Sequence, residues 1–282
     1  MNRGDLSNEQ WDSLKPLLPP TKPPTGKPNN DHRTVINGIL WILRTGAPWR
    51  DLPERYGKWE SAATRFYRWQ KAGIWNQILK HLQAKPSVSF ANADEQGKLD
   101  WEIHYVDGTV IRAHQHAAGG KKGAFRVASR REEDEKLGRS RGGFSTKIHL
   151  RCEGKGKPIT FILSPGQRNE SIFLEQLMEQ GAVKRSGRGR PRLRPLRLVG
   201  DKGYTGRRIR NYLRRRGIRL TIPRLSNEPR RGPFNREIYR QRNVVERAIN
   251  RLKQFRRIAT RYEKLAANYT AMITIASILL WL

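Results

Sequence analysis

The stretch from Tyr239 to Lys253, YRQRNVVERAINRLK, gathers residue types that can do chemistry together. Its spacing is Tyr, two residues, Arg, three residues, Glu, six residues, Lys. It contains no Pro or Gly and is rich in Arg, Glu, Ala and Leu, which predicts one helix. At roughly 100° per residue, Tyr239 lies about 20° from Glu246, Arg242 about 40° and Lys253 about 20°. One acid then shares a narrow stripe with two cations and a phenol. Such a stripe suits a carboxylate that ligates a metal while its neighbours hold a phosphate backbone. The plainer reading is a solvated face on which Arg242 and Glu246 make an ordinary i,i+4 pair.

Two more acids extend the pattern. Asp107 is expected to end the first strand of a core, and Asp201 to end the fourth, the short apolar run LRLVGD. Two Asp and one Glu form an all-oxygen, hard-ligand set that suits Mg²⁺, with Mn²⁺ as a substitute, rather than zinc. Two ions about 3.5–4 Å apart would activate a water or a 3′-hydroxyl without a protein nucleophile. Any single Asp at a strand end reads equally well as a turn or cap residue. The argument therefore rests on the three acids together with the Tyr-Arg-Glu-Lys stripe.

These residues need a scaffold. From about residue 100 the pattern reads as strands: IHYVDGTVIRAH, FSTKIHLRCE and PITFILS. NESIFLEQLMEQ follows as a helix, then LRLVGD, a helix over 207–216, and the strand IRLTIP. Three strands, a helix, a strand, a helix and a strand make the ribonuclease-H-like order, an α/β mixed sheet. That order brings the Asp107 and Asp201 strands side by side. Upstream, residues 5–18 and 31–83 read as helices separated by the Pro-rich connector 19–30. A helix over 32–45, a short one, a turn at Gly57 and a helix over 60–71 describe a helix-turn-helix or a plain three-helix bundle. In the first case Ser61, Thr64, Arg65 and Arg68 face DNA, with Phe66, Tyr67 and Trp69 as packing. The expected division is a helical unit over 1–90 and a catalytic unit over 100–282. The catalytic unit carries a Gly-rich charged loop at 117–143 and a basic loop at 184–195. The core of the latter, Arg188-Gly189-Arg190-Pro191, reads either as an AT-hook or as a plain basic loop.

Composition restricts the partners. Lys and Arg number 57 against 25 Asp and Glu, a net charge of +32. No fold requires that imbalance; it argues for a polyanion, here double-stranded DNA. Membranes are the other common polyanion, but no lipidation motif or lysine-rich amphipathic segment is present. The apolar C-terminus, AANYTAMITIASILLWL, reads as a buried helix rather than a span. The single cysteine, Cys152, excludes an internal disulfide and a thiolate zinc site. His114 and His116 form a His-x-His pair with no third soft ligand in view, and they read as structural or DNA-contacting. His149, within a strand, reads as a core residue. With no targeting segment recognised, a cytoplasmic, nucleoid-associated protein is expected.

The Tyr239, Arg242, Glu246 and Lys253 spacing matches in full the Y-(2)-R-(3)-E-(6)-K motif of a large group of bacterial insertion-sequence transposases. From about residue 5 to 282 the chain resembles their insertion-sequence-five family in ordered blocks. These include LSNEQWDSLKPLLP, NGILWILRTGAPWRDLPERYGKW, AHQHAAG, GRSRGGFSTKIHL, DKGYTGRRIR and RNVVERAINRLKQFRRIATRYEKLAANY. One departure is Gly108 after Asp107, where the family's pattern has Ser; that exchange is not expected to touch the chemistry. The resemblance implies a DDE transposase with Asp107, Asp201 and Glu246 as its acids. Water frees a 3′-hydroxyl at the element's terminal inverted repeat, and that hydroxyl attacks target DNA. It also implies a homodimer or higher assembly on DNA, because two ends must meet. Two other readings compete. A nuclease or resolvase of the same fold would cut without joining, and a DNA-binding regulator would carry an inert core.

Overall fold

A computed structural model describes residues 3–22, 30–84, 99–118, 135–140, 142–184, 188–229 and 234–282. Most of the 117–143 loop, the centre of the Pro-rich connector and residues 185–187 of the basic loop lie outside the described residues.

The first helix, α1 (Asn8–Leu14), starts at a capping box in which Ser7 and Gln10 exchange hydrogen bonds. A 3₁₀ turn at Lys15–Leu17 ends it. The second, α2 (His32–Thr45), runs from an Asp31 cap to Gly46, whose φ of 75° closes the helix in the left-handed region. Two 3₁₀ turns replace the short helix expected after it, Trp49–Asp51 and Glu54–Tyr56. Then come α3 (Trp59–Lys71) and α4 (Ile74–Ala84).

Seven strands form one mixed sheet. They are β1 (Ile103–Ala113), β2 (Gly138–Ser140), β3 (Gly143–Glu153), β4 (Pro158–Pro165), β5 (Arg197–Gly200), β6 (Arg219–Thr221) and β7 (Thr260–Arg261). The order is β2-β3-β1-β5-β6, with β4 also on β3 and β7 also on β1. The strands β1, β3 and β4 are antiparallel, whereas β5 and β6 run parallel to β1. The mixed sheet expected from the order of the runs is present. The pieces β2 and β7 were not legible, being two or three residues long.

Between strands lie α5 (Leu174–Gln180) and α6 (Arg207–Arg215). After β6 come α7 (Arg236–Arg240), α8 (Asn243–Lys253), α9 (Arg256–Ala259) and α10 (Ala266–Trp281). Strand alternation splits the burial in two. Tyr105, Ile148, Leu150, Cys152 and Val199 join one core with α1–α4, α8 and α10. Val106, Ile162 and Leu198 join a second core with α5 and α6. The helix α10 is apolar all round and buried, which is why it is so hydrophobic. Among the described residues no helix is long and apolar enough to cross a membrane. The Arg257 guanidinium donates to Glu263 (2.6 Å) and to the Ala47 carbonyl (2.7 Å), tying the end of α2 to the C-terminal part of the chain.

His149 is fully buried, as its place in a strand suggested. Its ring stacks on Phe173 at 4.7 Å. The Ser164 hydroxyl donates to the Pro165 carbonyl, so at 2.8 Å it accepts from His149 Nε2. The other nitrogen, Nδ1, has no partner among the described residues. Burial pushes the imidazole down to about 3, with Lys147 adding repulsion. A group that folding holds neutral stabilises the fold above its unfolded pKa and costs stability as pH falls below it. Unfolding free energy should therefore drop by about 2 kcal/mol between pH 6.5 and 5 through this group. The fall in unfolding free energy across that range, measured by urea titration, should be larger in the wild type than in His149→Asn by about this amount.

Candidate functional site

Register sets the first two acids side by side. The parallel pair β1 and β5 matches Val106 with Gly200, so Asp107 and Asp201 follow as neighbours. Asp107 does not end its strand, contrary to expectation; it sits in the middle of β1. The strand outlasts its neighbour β5 because β3 pairs with it along its whole length and β7 picks it up again at Arg112. On that edge, residues 107–111 have no strand partner among the described residues. Asp201 caps the turn Lys202–Tyr204, accepting from the Gly203 amide at 2.9 Å.

The helical stripe is modified by tertiary contacts. Residues 239–253 are not one helix. The turn at Gln241 and Arg242 separates α7 from α8, carried by i→i+3 bonds such as Arg242 N–H to Tyr239 C=O (3.0 Å). The reason lies across the chain. The Tyr105 hydroxyl donates to Gln241 Oε1 (3.2 Å), and Arg242 donates to Asp107 Oδ2 (2.9 Å). The guanidinium also pairs with Glu246, so the i,i+4 pair of the plainer reading exists as well. One cation thus bridges the strand acid and the helix acid. Tyr239 packs on Phe234 (5.2 Å) with Arg242 over its ring (6.0 Å). Lys253 lies partly buried two turns beyond Glu246.

Burial raises the Asp107 carboxyl to about 6, against the pull of Arg242 and the Gly108 amide and with repulsion from Asp201 and Glu170 added. Glu246 is half exposed at 48%. Glu170 was not singled out from the sequence. It leads a 3₁₀ turn, Glu170–Ile172, in a segment that reads as ordinary helix, and only folding carries it to the acids. Its carboxyl is pushed up by burial and by Asp201, with Lys147 acting against that.

The donor set is carboxylate oxygen throughout, which fits a hard divalent cation and excludes a soft one. A cation already holds Asp107 and Glu246 together, namely the Arg242 guanidinium, so these carboxylates accept positive charge in this position. Among the described residues no three His, Cys, Asp or Glu side chains converge closely enough to hold a metal as they stand. His114 meets His116 edge-on (4.5 Å) and lies tilted against Tyr262 (5.1 Å), an aromatic cluster at the end of β1.

The remaining candidates separate by exposure. Thr64 and Arg68 are exposed on α3, together with Lys71, and Ser61 is half-buried. Arg65 is not on that face. It is 5% exposed, contacts His32 Nδ1 (2.7 Å) and lies over Trp69 (5.3 Å). Helical periodicity puts it on the arc of Ala62, Phe66 and Trp69. Tyr67, expected as packing, is 43% exposed. Arg188 and Arg190 are exposed in a loop closed by the Val183–Arg192 bridge. The buried Arg151 anchors its far side, donating to the Leu193 carbonyl (2.7 Å).

Comparison with known proteins now places this chain. Residues 102–281 match the family described as "Transposase DDE domain", and residues 6–79 match "Putative transposase of IS4/5 family". The chain belongs to the DDE transposases of the IS4/IS5 insertion-sequence group, enzymes that act on DNA. It is 32% identical over 161 residues to a protein of Burkholderia cepacia named "Putative transposase for insertion sequence element IS402", covering 55% of this chain and 73% of that one. A second protein of that organism, "Insertion element IS402 uncharacterized 16.2 kDa protein", is 36% identical over 38% of this chain and 73% of its own. "Uncharacterized protein y4sN" of Sinorhizobium fredii is 31% identical over 43% of this chain and 87% of its own.

Arg65→Met should lower stability by about 1–3 kcal/mol, because it strands a buried His32 nitrogen and removes a guanidinium from Trp69. Arg68→Met should leave stability within about 0.5 kcal/mol. Thermal unfolding of both variants checks the contrast.

Proposed function

We propose that this transposase binds the terminal inverted repeats of its insertion sequence, hydrolyses the phosphodiester at each end and joins the freed 3′-hydroxyl to target DNA. The observation that supports the reading is the register that makes Asp107 and Asp201 neighbours on two parallel strands, with Arg242 bridging Asp107 to Glu246 on the helix. Asp107, Asp201 and Glu246 are the proposed catalytic acids and the ligands of two Mg²⁺, with Mn²⁺ as a substitute. Such ions would lower the pKa of the attacking water or 3′-hydroxyl and offset charge on the leaving oxygen. Arg242 changes partners in this scheme. Once Asp107 and Glu246 have a different counterion, its guanidinium is free to take a phosphate oxygen in bidentate fashion. Lys253 holds a neighbouring phosphate, and Tyr239 packs on a sugar or base.

Outside the acids, α3 acts as the recognition helix of a helix-turn-helix, presenting Ser61, Thr64 and Arg68 to the major groove. Arg65 has no part in that contact and supports the helix from inside. The exposed Arg188 and Arg190 add contacts to the backbone or minor groove. The +32 charge supports an extended footprint on duplex DNA, and joining two ends supports a dimer or larger assembly. On this reading the protein acts at the nucleoid, in the bacterial cytoplasm.

Incubation with labelled DNA carrying the element's end and a supercoiled target tests the chemistry, run in Mg²⁺, Mn²⁺ and EDTA. Cleaved and joined products should require the ion. They should fall by roughly a thousandfold or more in Glu246→Gln, as loss of several kcal/mol of charge stabilisation implies. Cleavage without joining would make the protein a nuclease, and full activity in the variant would remove Glu246 from the site. In gel shifts across salt, Arg68→Ala should weaken end binding and reduce the salt slope by about one if Arg68 meets a phosphate. A base contact would instead relax sequence preference.

A further inference from the structure

Glu170 reaches the acids from the opposite side of the sheet to Glu246. Side chains of β1 alternate, so Tyr105 and Asp107 face α8, whereas Val106 and position 108 face α5 and α6. Position 108 is Gly, with no side chain on that face. A Cβ there would lie 2.5 Å from Glu170 Oε1, and a Cβ at Gly203 would lie 2.5 Å from Glu170 Oε2. The two carboxylate oxygens therefore lie against two glycines, one beside Asp107 and one two residues past Asp201. Even a Ser at 108 would drive its Cβ into the carboxylate. Gly108 leaves open the space in which the Glu170 carboxylate lies.

The turn that carries Glu170 is held firmly. Lys147 Nζ approaches Oε1 at 3.4 Å and donates to the Arg168 carbonyl at 2.9 Å. Asn169 caps the turn through the Ser171 amide, and Arg208 donates to the Ser171 carbonyl at 3.0 Å. Three carboxylates brought together in a partly buried place repel one another, and no structural gain from that repulsion is visible. Tyr204 packs on the same side of the sheet; it is 0% exposed, and its hydroxyl has no hydrogen-bond partner among the described residues.

We propose that Glu170 is a fourth carboxylate of the divalent-cation site, entering across Gly108 and Gly203 from the sheet face opposite Glu246 and steadied by Lys147. This rests on the assignment of Asp107, Asp201 and Glu246 as cation ligands. Glu170 holds the ion directly or through its hydration water, and Lys147 keeps the carboxylate from swinging away.

Mn²⁺ titration of the full-length protein without DNA, followed by the electron paramagnetic resonance of free Mn²⁺, separates the two ideas. Asp201→Asn should lose binding. Glu170→Gln, which keeps the shape of the side chain, should bind roughly ten- to a hundredfold more weakly, and Glu170→Asp should recover part of the loss. Gly108→Ala should weaken binding in the wild type and add nothing in the Glu170→Gln background, since the carboxylate it displaces is already gone. Thermal unfolding of each variant shows whether it is folded. If Asp201→Asn loses Mn²⁺ while Glu170→Gln binds within twofold of wild type, Glu170 has no such role and the three-acid site stands. If Gly108→Ala costs as much without Glu170 as with it, the proposed path across Gly108 is wrong. Wild-type protein that binds no Mn²⁺, or Asp201→Asn that binds like wild type, would overturn the cation site itself and Glu170 with it.

Discussion

Arg242 holds two carboxylates that would otherwise repel each other, one on a strand and one on a helix. Asp107 sits in the middle of β1, where burial, helped by repulsion from Asp201 and Glu170, drives its carboxyl up to about 6 in spite of Arg242. Glu246 projects from α8, which lies across the same face of the sheet. Joining them through one guanidinium fixes the approach of α8 to β1. The bridge sits at the turn of Gln241 and Arg242, where α7 gives way to α8. The site is a group of carboxylates in which a guanidinium of the same chain bridges the strand acid and the helix acid. A guanidinium suits this bridge, because it stays charged in every protein setting and meets oxygens in a forked geometry.

The rest of the chain makes that contact rigid. The strand β1 is paired with β3 along its length, and β5 covers only its first part, so the edge beside Asp107 is left without a strand partner. One face of the sheet carries α8, α10 and the N-terminal helices in a single apolar core; α5 and α6 cover the other. The apolar α10 is buried between the helical unit and the sheet. The Arg257–Glu263 pair and its bond to the Ala47 carbonyl fasten the end of α2 to the same block.

Buried arginines recur in this basic protein and divide its cations into two populations. Arg65, Arg151, Arg257 and Arg261 are buried and donate to carbonyls, imidazoles or a carboxylate, so they serve the fold. Arg68, Arg188 and Arg190 are exposed and are left to meet a polyanion. A count of +32 does not distinguish the two, and Arg65 shows how a basic residue on an apparently polar helix turns inward when its neighbours on the arc are Phe66 and Trp69.

Much was legible in the chain itself. The helix over His32–Thr45, the strands containing Asp107 and His149 and the burial of the C-terminal helix follow from local periodicity, turn residues and spacing. These are properties of neighbouring residues, and the backbone obeys them wherever packing agrees. What only the tertiary structure decided were facts of long sequence separation. The break at Arg242 depends on Asp107, 135 residues away. Arg65 is buried against His32, and the Glu170 carboxylate lies where Gly108 and Gly203 carry no side chain. Each is decided by side chains that meet only once the sheet has closed, and no local pattern of hydrophobicity or charge encodes which distant group a buried polar atom will find.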